Sequence, residues 1–223
     1  MAWFYAMNLF WQIIPSTEIT EILCSGKMDG VVIDAEHGSF TIQNIVDSIR
    51  VITLKGKKAF VRLKENQRIE QISVDNGCDG LIYSTVERLI KPKWGIGLTR
   101  KNNYGQSKLT GKAIVRVAQI ETVAGLLGLS KSVSFNKMYG YDYYMLTPYD
   151  FSNSIGLPGQ FNSAEYLDCD DKFKAIVPAE KRACHIVKDI ESQTEKYKDY
   201  GLKCYGLDSL MILDTVKGLD KYV

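Results

Sequence analysis

YDYYMLTPYDFSNSIGLPGQ, residues 141–160, is the stretch from which the rest of the chain can be read. Tyr143, Tyr144, Met145 and Leu146 are apolar at successive positions, the pattern of a parallel strand covered on both faces. Pro148 has no N–H to donate and ends the ladder. Asp150 then stands at the strand's C-terminal end, and Ser152, Asn153 and Ser154 offer capping or turn side chains. A carboxylate at the mouth of a buried strand, beside free backbone N–H groups, suits a metal ion and an anionic substrate together. The plainer reading is a capped turn.

Working outward, the same strand-then-helix unit recurs. Towards the N-terminus, 8–14 reads as a strand, and Pro15 and Ser16 open a helix that runs to Leu23. GVVID (30–34) is an apolar strand. It precedes a helix over 41–55 whose Ile42, Ile45, Val46, Ile49 and Ile52 form one stripe. A third strand spans 58–63, and Asn66 caps a short helix stopped by Gly77. A fourth strand spans 80–84. Residues 85–90 leave room for barely two helical turns before Pro92. The fifth strand is expected at 112–119 with its helix at 121–129, and the sixth is 141–146, followed by a long connection. Strands at 183–187 and 202–207 and helices at 192–200 and 209–217 complete the alternation. Eight short apolar strands alternating with helices in 223 residues predict a single (β/α)8 TIM barrel over 1–223. A doubly wound open sheet usually has fewer strands, and no glycine-rich phosphate loop follows the first strand here.

A net charge of +2 and the lack of any long run of like charges argue against nucleic acid as a partner. Cys24, Cys78, Cys169, Cys184 and Cys204 are odd in number and form no CxxC pair, which predicts reduced thiols and a cytoplasmic protein. MAWFYAMNLFWQII (1–14) has no basic leader and falls short of the ~20 apolar residues of a membrane span. It is read as the first core strand, with no membrane role.

In a TIM barrel the chemistry lies at the C-terminal ends of the strands. Those ends carry Asp34, Glu36 and His37 after strand two, Arg62 in strand three, Gln119 and Glu121 after strand five, and Asp150 after strand six. Packing gives a core strand no reason to finish in such residues. Glu121 and Asp150 make an oxygen pair for a hard divalent ion, and one guanidinium with one imidazole completes an acid/base and oxyanion set. Each has a duller alternative: His37 as a helix-entry residue, Arg62 as a bridge to Asp34 or Glu36, Glu121 as a first-turn helix residue. His185 reads as a core or edge histidine, and Tyr139, Tyr141, Tyr143 and Tyr144 read as packing.

Five blocks in order, VVIDAEHGSFT (31–41), FVRL (60–63), VDNGCDG (74–80), VAQIET (117–122) and TPYDFSNSIGLPGQF (147–161), resemble the HpcH/HpaI aldolases. The similarity extends from about residue 8 to GLDSLMILDTV near the C-terminus. It implies a metal-dependent class II aldolase that cleaves a 4-hydroxy-2-oxo acid to pyruvate and an aldehyde, or adds them. It implies Glu121 and Asp150 as ligands of Mg²⁺, Mn²⁺ or Co²⁺, His37 in proton transfer supported by Asp75, and Arg62 on the pyruvate oxygen. Gln119 would line the pocket, and backbone N–H groups near Tyr149 and Asp150 would hold the carboxylate. A homo-oligomer, a hexamer by resemblance, is expected. Departures from the family pattern are Thr147 before Pro148, a Trp94–Gly97 loop without arginine, and a shortened helix after strand four. The alternatives are a citrate-lyase-like or malyl-CoA-lyase-like activity, disfavoured because no basic pocket for a CoA phosphate is evident, and a degenerate barrel that only binds.

Overall fold

The structure, a computed structural model, describes residues 6–64, 66–84, 114–134 and 141–220. Eight parallel strands run in sequence order and close on themselves: β1 (Met7–Gln12), β2 (Gly30–Asp34), β3 (Lys58–Leu63), β4 (Gly80–Tyr83), β5 (Val115–Ile120), β6 (Tyr143–Leu146), β7 (Arg182–Ile186) and β8 (Leu202–Tyr205). Closure is made by β8 against β1, with Met7 opposite Leu202 and Phe10 opposite Tyr205. The expected TIM barrel is the fold. Tyr139, the Trp94–Gly97 loop and the shortened helix after strand four lie outside the described residues.

Helices α1 (Thr17–Ser25), α2 (Ile42–Leu54), α3 (Gln67–Asp75) and α4 (Val123–Ser134) follow β1, β2, β3 and β5. Side-chain oxygens start three of them: Ser16 accepts from Ile19 N–H, Thr41 forms a capping box with Asn44, and Asn66 accepts from Arg68 and Ile69 N–H. The stripe expected on α2 is the buried one, with Ile45, Ile49 and Ile52 against the barrel wall.

The stretch after β6 departs from expectation. Pro148 begins a helix, α5 (Pro148–Ser154), because its missing N–H costs nothing at the first helical position. Ser152 is therefore interior to a helix. It is fully buried, donates to the Tyr149 carbonyl at 2.9 Å and accepts from Gly159 N–H at 3.1 Å, tying down the next loop. The long connection also holds α6 (Ala164–Ile176), capped by Ser163, and a 3₁₀ turn, Ala179–Lys181. Polar residues on most of its turns hid α6: only Tyr166 and Phe173 are buried. Helix α7 (Ile190–Lys196) is shorter than expected and α8 (Asp208–Leu219) follows β8. Buried Asp208 accepts from the N–H groups of Ile13, Ile14 and Ser209, locking the loop after β1 to the start of α8.

Alternation along the strands sorts the core into two layers. Outward residues such as Val31, Ile33, Val61, Leu81, Ile120 and Tyr144 pack with the helices. Inward residues Leu9, Val32, Phe60, Ile82, Val117, Met145, Ala183, Leu202 and Cys204 fill the barrel. Gly80 is required by this filling, since a Cβ there would lie 2.1 Å from the Phe60 ring. None of the five cysteines is in a disulfide. Among the described residues no helix is long and apolar enough to cross a membrane.

Candidate active site

Seven of the eight inward rows change character within two residues at their C-terminal ends. Leu9 gives way to Trp11, Val32 to Asp34, Phe60 to Arg62, Ile82 to Ser84, Val117 to Gln119, Met145 to Thr147 and Ala183 to His185. A two-residue step keeps the side chain on the same face of a strand, so these groups share the mouth of the barrel.

Arg62 is the hub. Its side chain is 7% exposed and meets three carboxylates: Asp34 Oδ2 at 3.1 Å from Nη1, Glu36 Oε2 at 2.9 Å from Nη2, and Glu121 Oε1 at 3.5 Å from Nη2. Its Nε donates to Gln119 Oε1 at 2.8 Å. Glu36 Oε2 is buried and accepts no well-directed hydrogen bond among the described residues, so its contact with Arg62 is Coulombic. Three carboxylates against one guanidinium leave a formal excess of two negative charges in a desolvated place, where charge interactions are strong.

Asp34 works on both sides of itself. Its Oδ2 accepts from Trp11 Nε1 at 2.9 Å and from Arg62, while its Oδ1 accepts from the backbone N–H groups of Glu36 and His37 at 3.1 and 3.0 Å. One carboxylate thus fixes the guanidinium and the turn that presents His37. Gly38 lets that turn close, because a Cβ there would lie 2.5 Å from the Asp34 carbonyl. The His37 side chain is exposed at the rim.

Glu121 lies just past β5 and Asp150 in the first turn of α5, just past β6. The strand ends are joined by the Thr147 N–H on the Ile120 carbonyl, 3.3 Å. Thr147 is buried with its hydroxyl 3.4 Å from the same carbonyl. Asp150 is exposed, and Tyr149 packs its ring edge-on to Phe161, leaving its backbone as its contribution to the mouth. No group of three or more His, Cys, Asp or Glu gathers as an ion cage among the described residues. Two carboxylates on neighbouring strand ends, beside an excess of negative charge, instead fit a hard divalent ion that keeps water or substrate oxygens in its shell.

Asp75 does not join this cluster. It is the last residue of α3, and the helices run back to the opposite rim, where β4 begins at Gly80. Two mouth residues lie outside the expected site set: Trp11, in the stretch read as the first core strand, and His185, read as a core or edge histidine. Trp11 stacks on His185, with ring centroids 4.2 Å apart and planes 18° apart, and Arg62 lies 5.7 Å from the indole centroid. His185 Nε2 is 2.7 Å from the Gly206 carbonyl, and burial pushes the imidazole down to about 4, so the ring is neutral. The signal for both was positional: Trp11 is two residues beyond Leu9 and His185 two beyond Ala183, on the inward face.

Residues 8–201 match the model of the HpcH/HpaI aldolase/citrate lyase family. The chain belongs to that family. The closed barrel is the fold it shares with a solved HpcH/HpaI family structure. A hydroxypyruvate/pyruvate aldolase of Roseovarius nubinhibens is 23% identical over 224 residues, covering 89% of this chain and 84% of that one. A 4-hydroxy-2-oxovalerate aldolase of Novosphingobium aromaticivorans is 24% identical over 222 residues, covering 90% and 83%. The crystal structure of an HpcH/HpaI aldolase/citrate lyase family protein from Burkholderia cenocepacia superposes with a TM-score of 0.81 at 16% identity, covering 98% of this chain and 95% of that one; at this identity the likeness shows the fold.

Proposed function

We propose that this chain is a divalent-metal-dependent aldolase that cleaves a 4-hydroxy-2-oxo acid into pyruvate and an aldehyde and runs the reverse addition. The observation that carries the reading is the buried Arg62, held by Asp34 and Gln119 with Glu36 and Glu121 beside it. A guanidinium fixed this firmly in a desolvated mouth pays no reorganisation when an oxyanion forms in front of it.

Glu121 and Asp150 would hold the ion, Mg²⁺, Mn²⁺ or Co²⁺. When bound, it supplies Lewis acidity towards the carbonyl of the 2-oxo acid. The residues of the chain do the rest. Arg62 faces the C2 oxygen, which gains negative charge as the C3–C4 bond breaks and its electron pair moves into the enolate. His37 takes the proton of the C4 hydroxyl, and that carbon leaves as the aldehyde. C3 then takes up a proton to give pyruvate. Gln119 keeps the Arg62 plane in register, and Asp34 couples Arg62 to the His37 turn. The N–H groups of Tyr149 and Asp150, in the first turn of α5 where a helix has no partner for them, receive the substrate carboxylate. Asp75 has no step here within a single chain. A homo-oligomer is the expected assembly, supported by the exposed row Met211, Ile212, Leu213, Val216 and Leu219 on α8.

The test is pyruvate release from a panel of 4-hydroxy-2-oxo acids with Mn²⁺ or Mg²⁺, with EDTA, and in Glu121→Ala. Release that needs the ion and is lost in Glu121→Ala is expected. EDTA-insensitive release would remove the metal-dependent mechanism, and no release from any substrate would favour a barrel that only binds.

A further inference from the structure

We propose that His185 recognises substrate: its Nδ1 accepts a hydrogen bond from a substrate hydroxyl. The inference rests on the aldolase reading above and assigns that site a specificity-determining residue. The geometry begins at Gly206, whose positive φ of 66° turns the chain just after β8. Its carbonyl lies 2.7 Å from His185 Nε2. A carbonyl can only accept, so Nε2 carries the ring proton and Nδ1 keeps its lone pair. The stack on Trp11 holds the ring plane, so the lone pair has one direction. Burial keeps the ring neutral, and the charges that act on it, Arg62 and Asp34, work in opposite directions.

Nothing among the described residues donates to Nδ1, and although the imidazole is largely desolvated, His185 keeps a small exposed edge at the open end of its row. A ring kept for packing alone would be served by phenylalanine, which also stacks on indole. The rest of the mouth already offers a guanidinium for an oxyanion and carboxylates for a cation. His185 Nδ1 adds to these a neutral acceptor that can only accept, unlike the Ser84 and Thr147 hydroxyls at the same mouth, which also carry a proton. A carboxylate or a carbonyl has no proton to give Nδ1; a hydroxyl does. Two sources fit: the C3 hydroxyl of a 3-hydroxy-2-oxo acid such as hydroxypyruvate, or the hydroxyl of an aldehyde such as glycolaldehyde.

Wild type and His185→Phe are compared on two pairs: hydroxypyruvate against pyruvate with one aldehyde, and glycolaldehyde against acetaldehyde with pyruvate. In His185→Phe the kcat/KM ratio of one pair should fall roughly tenfold towards the hydroxyl-free member. The pair that responds names the source. Unchanged ratios in both pairs overturn the inference. A second readout is independent of turnover: ¹⁵N spectra of the two imidazoles, with His185 assigned by its absence in His185→Phe. Its Nδ1 resonance should move with hydroxypyruvate or glycolaldehyde and not with pyruvate or acetaldehyde. Such a shift without turnover of any pair would remove the aldolase reading and leave the inference standing. No turnover and no shift removes both.

Discussion

On the β2–β3–β5 side of the barrel mouth, Arg62 is gripped by Asp34 and Gln119, with Glu36 and Glu121 closing round it. On the β7–β8–β1 side, Trp11 and a neutral His185 stack, and the polar contact of the imidazole is to the Gly206 carbonyl. The first side fixes its geometry with desolvated charge, which is rigid when complete and costly when any member is lost. The second fixes its geometry by shape and one directed bond, so its losses are smaller and local. Trp11 belongs to both, because its indole N–H ends on the same Asp34 oxygen that receives Arg62.

The sharpest way to break this contrast is Arg62→Ala. Removing the one cation leaves Asp34, Glu36 and Glu121 facing one another, at an expected cost of about 3 kcal/mol or more in denaturant unfolding and roughly a thousandfold in turnover. A cost under about 1 kcal/mol would show that solvent already separates the carboxylates.

The neutral side answers to pH. The imidazole of His185 sits at about 4 in the fold against 6.5 for the free residue, so the unfolded chain binds the proton more readily. Stability should be complete above about 6.5 and fall as pH is lowered towards 4, by at most about 3 kcal/mol and less where the mouth admits water. In His185→Phe that fall should be missing from a pH series of unfolding midpoints.

Trp11→Phe keeps the stack and removes one donor to Asp34, so about 1.5 kcal/mol is expected, with Arg62 still in place. A loss as large as that of Arg62→Ala would mean the two sides are not separable. Smallest of all should be Ser84→Ala. Its buried hydroxyl ends the β4 row and has no hydrogen-bond partner among the described residues, so thermal unfolding should stay within about 0.5 kcal/mol of wild type or rise slightly.

Much of this was legible in one dimension. The strand–helix alternation, the apolar stripe of α2 and the acidic and basic residues at strand ends follow from periods of two and 3.6 residues and from the absence of any packing reason for such endings. Arg62 was foreseen both as an oxyanion group and as a bridge to Asp34 or Glu36; those contacts are present, and Glu121 joins them. Helix α6 and the helical nature of α5 were not legible. The first shows only two buried residues, and the second hides behind a proline that both ends a strand and begins a helix. Asp75 matched a family block by position in the chain, yet its helix delivers it to the far rim.

His185 and Trp11 mark the boundary most clearly. By itself the sequence determined eight apolar strands alternating with helices, because local periodicity and burial on both faces are properties of short segments. Only the tertiary structure decided that residues 174 positions apart would stack, since that depends on β8 closing against β1 and on which face each strand turns inward. Closure is a property of the whole ring of hydrogen bonds, and no single stretch of chain carries it.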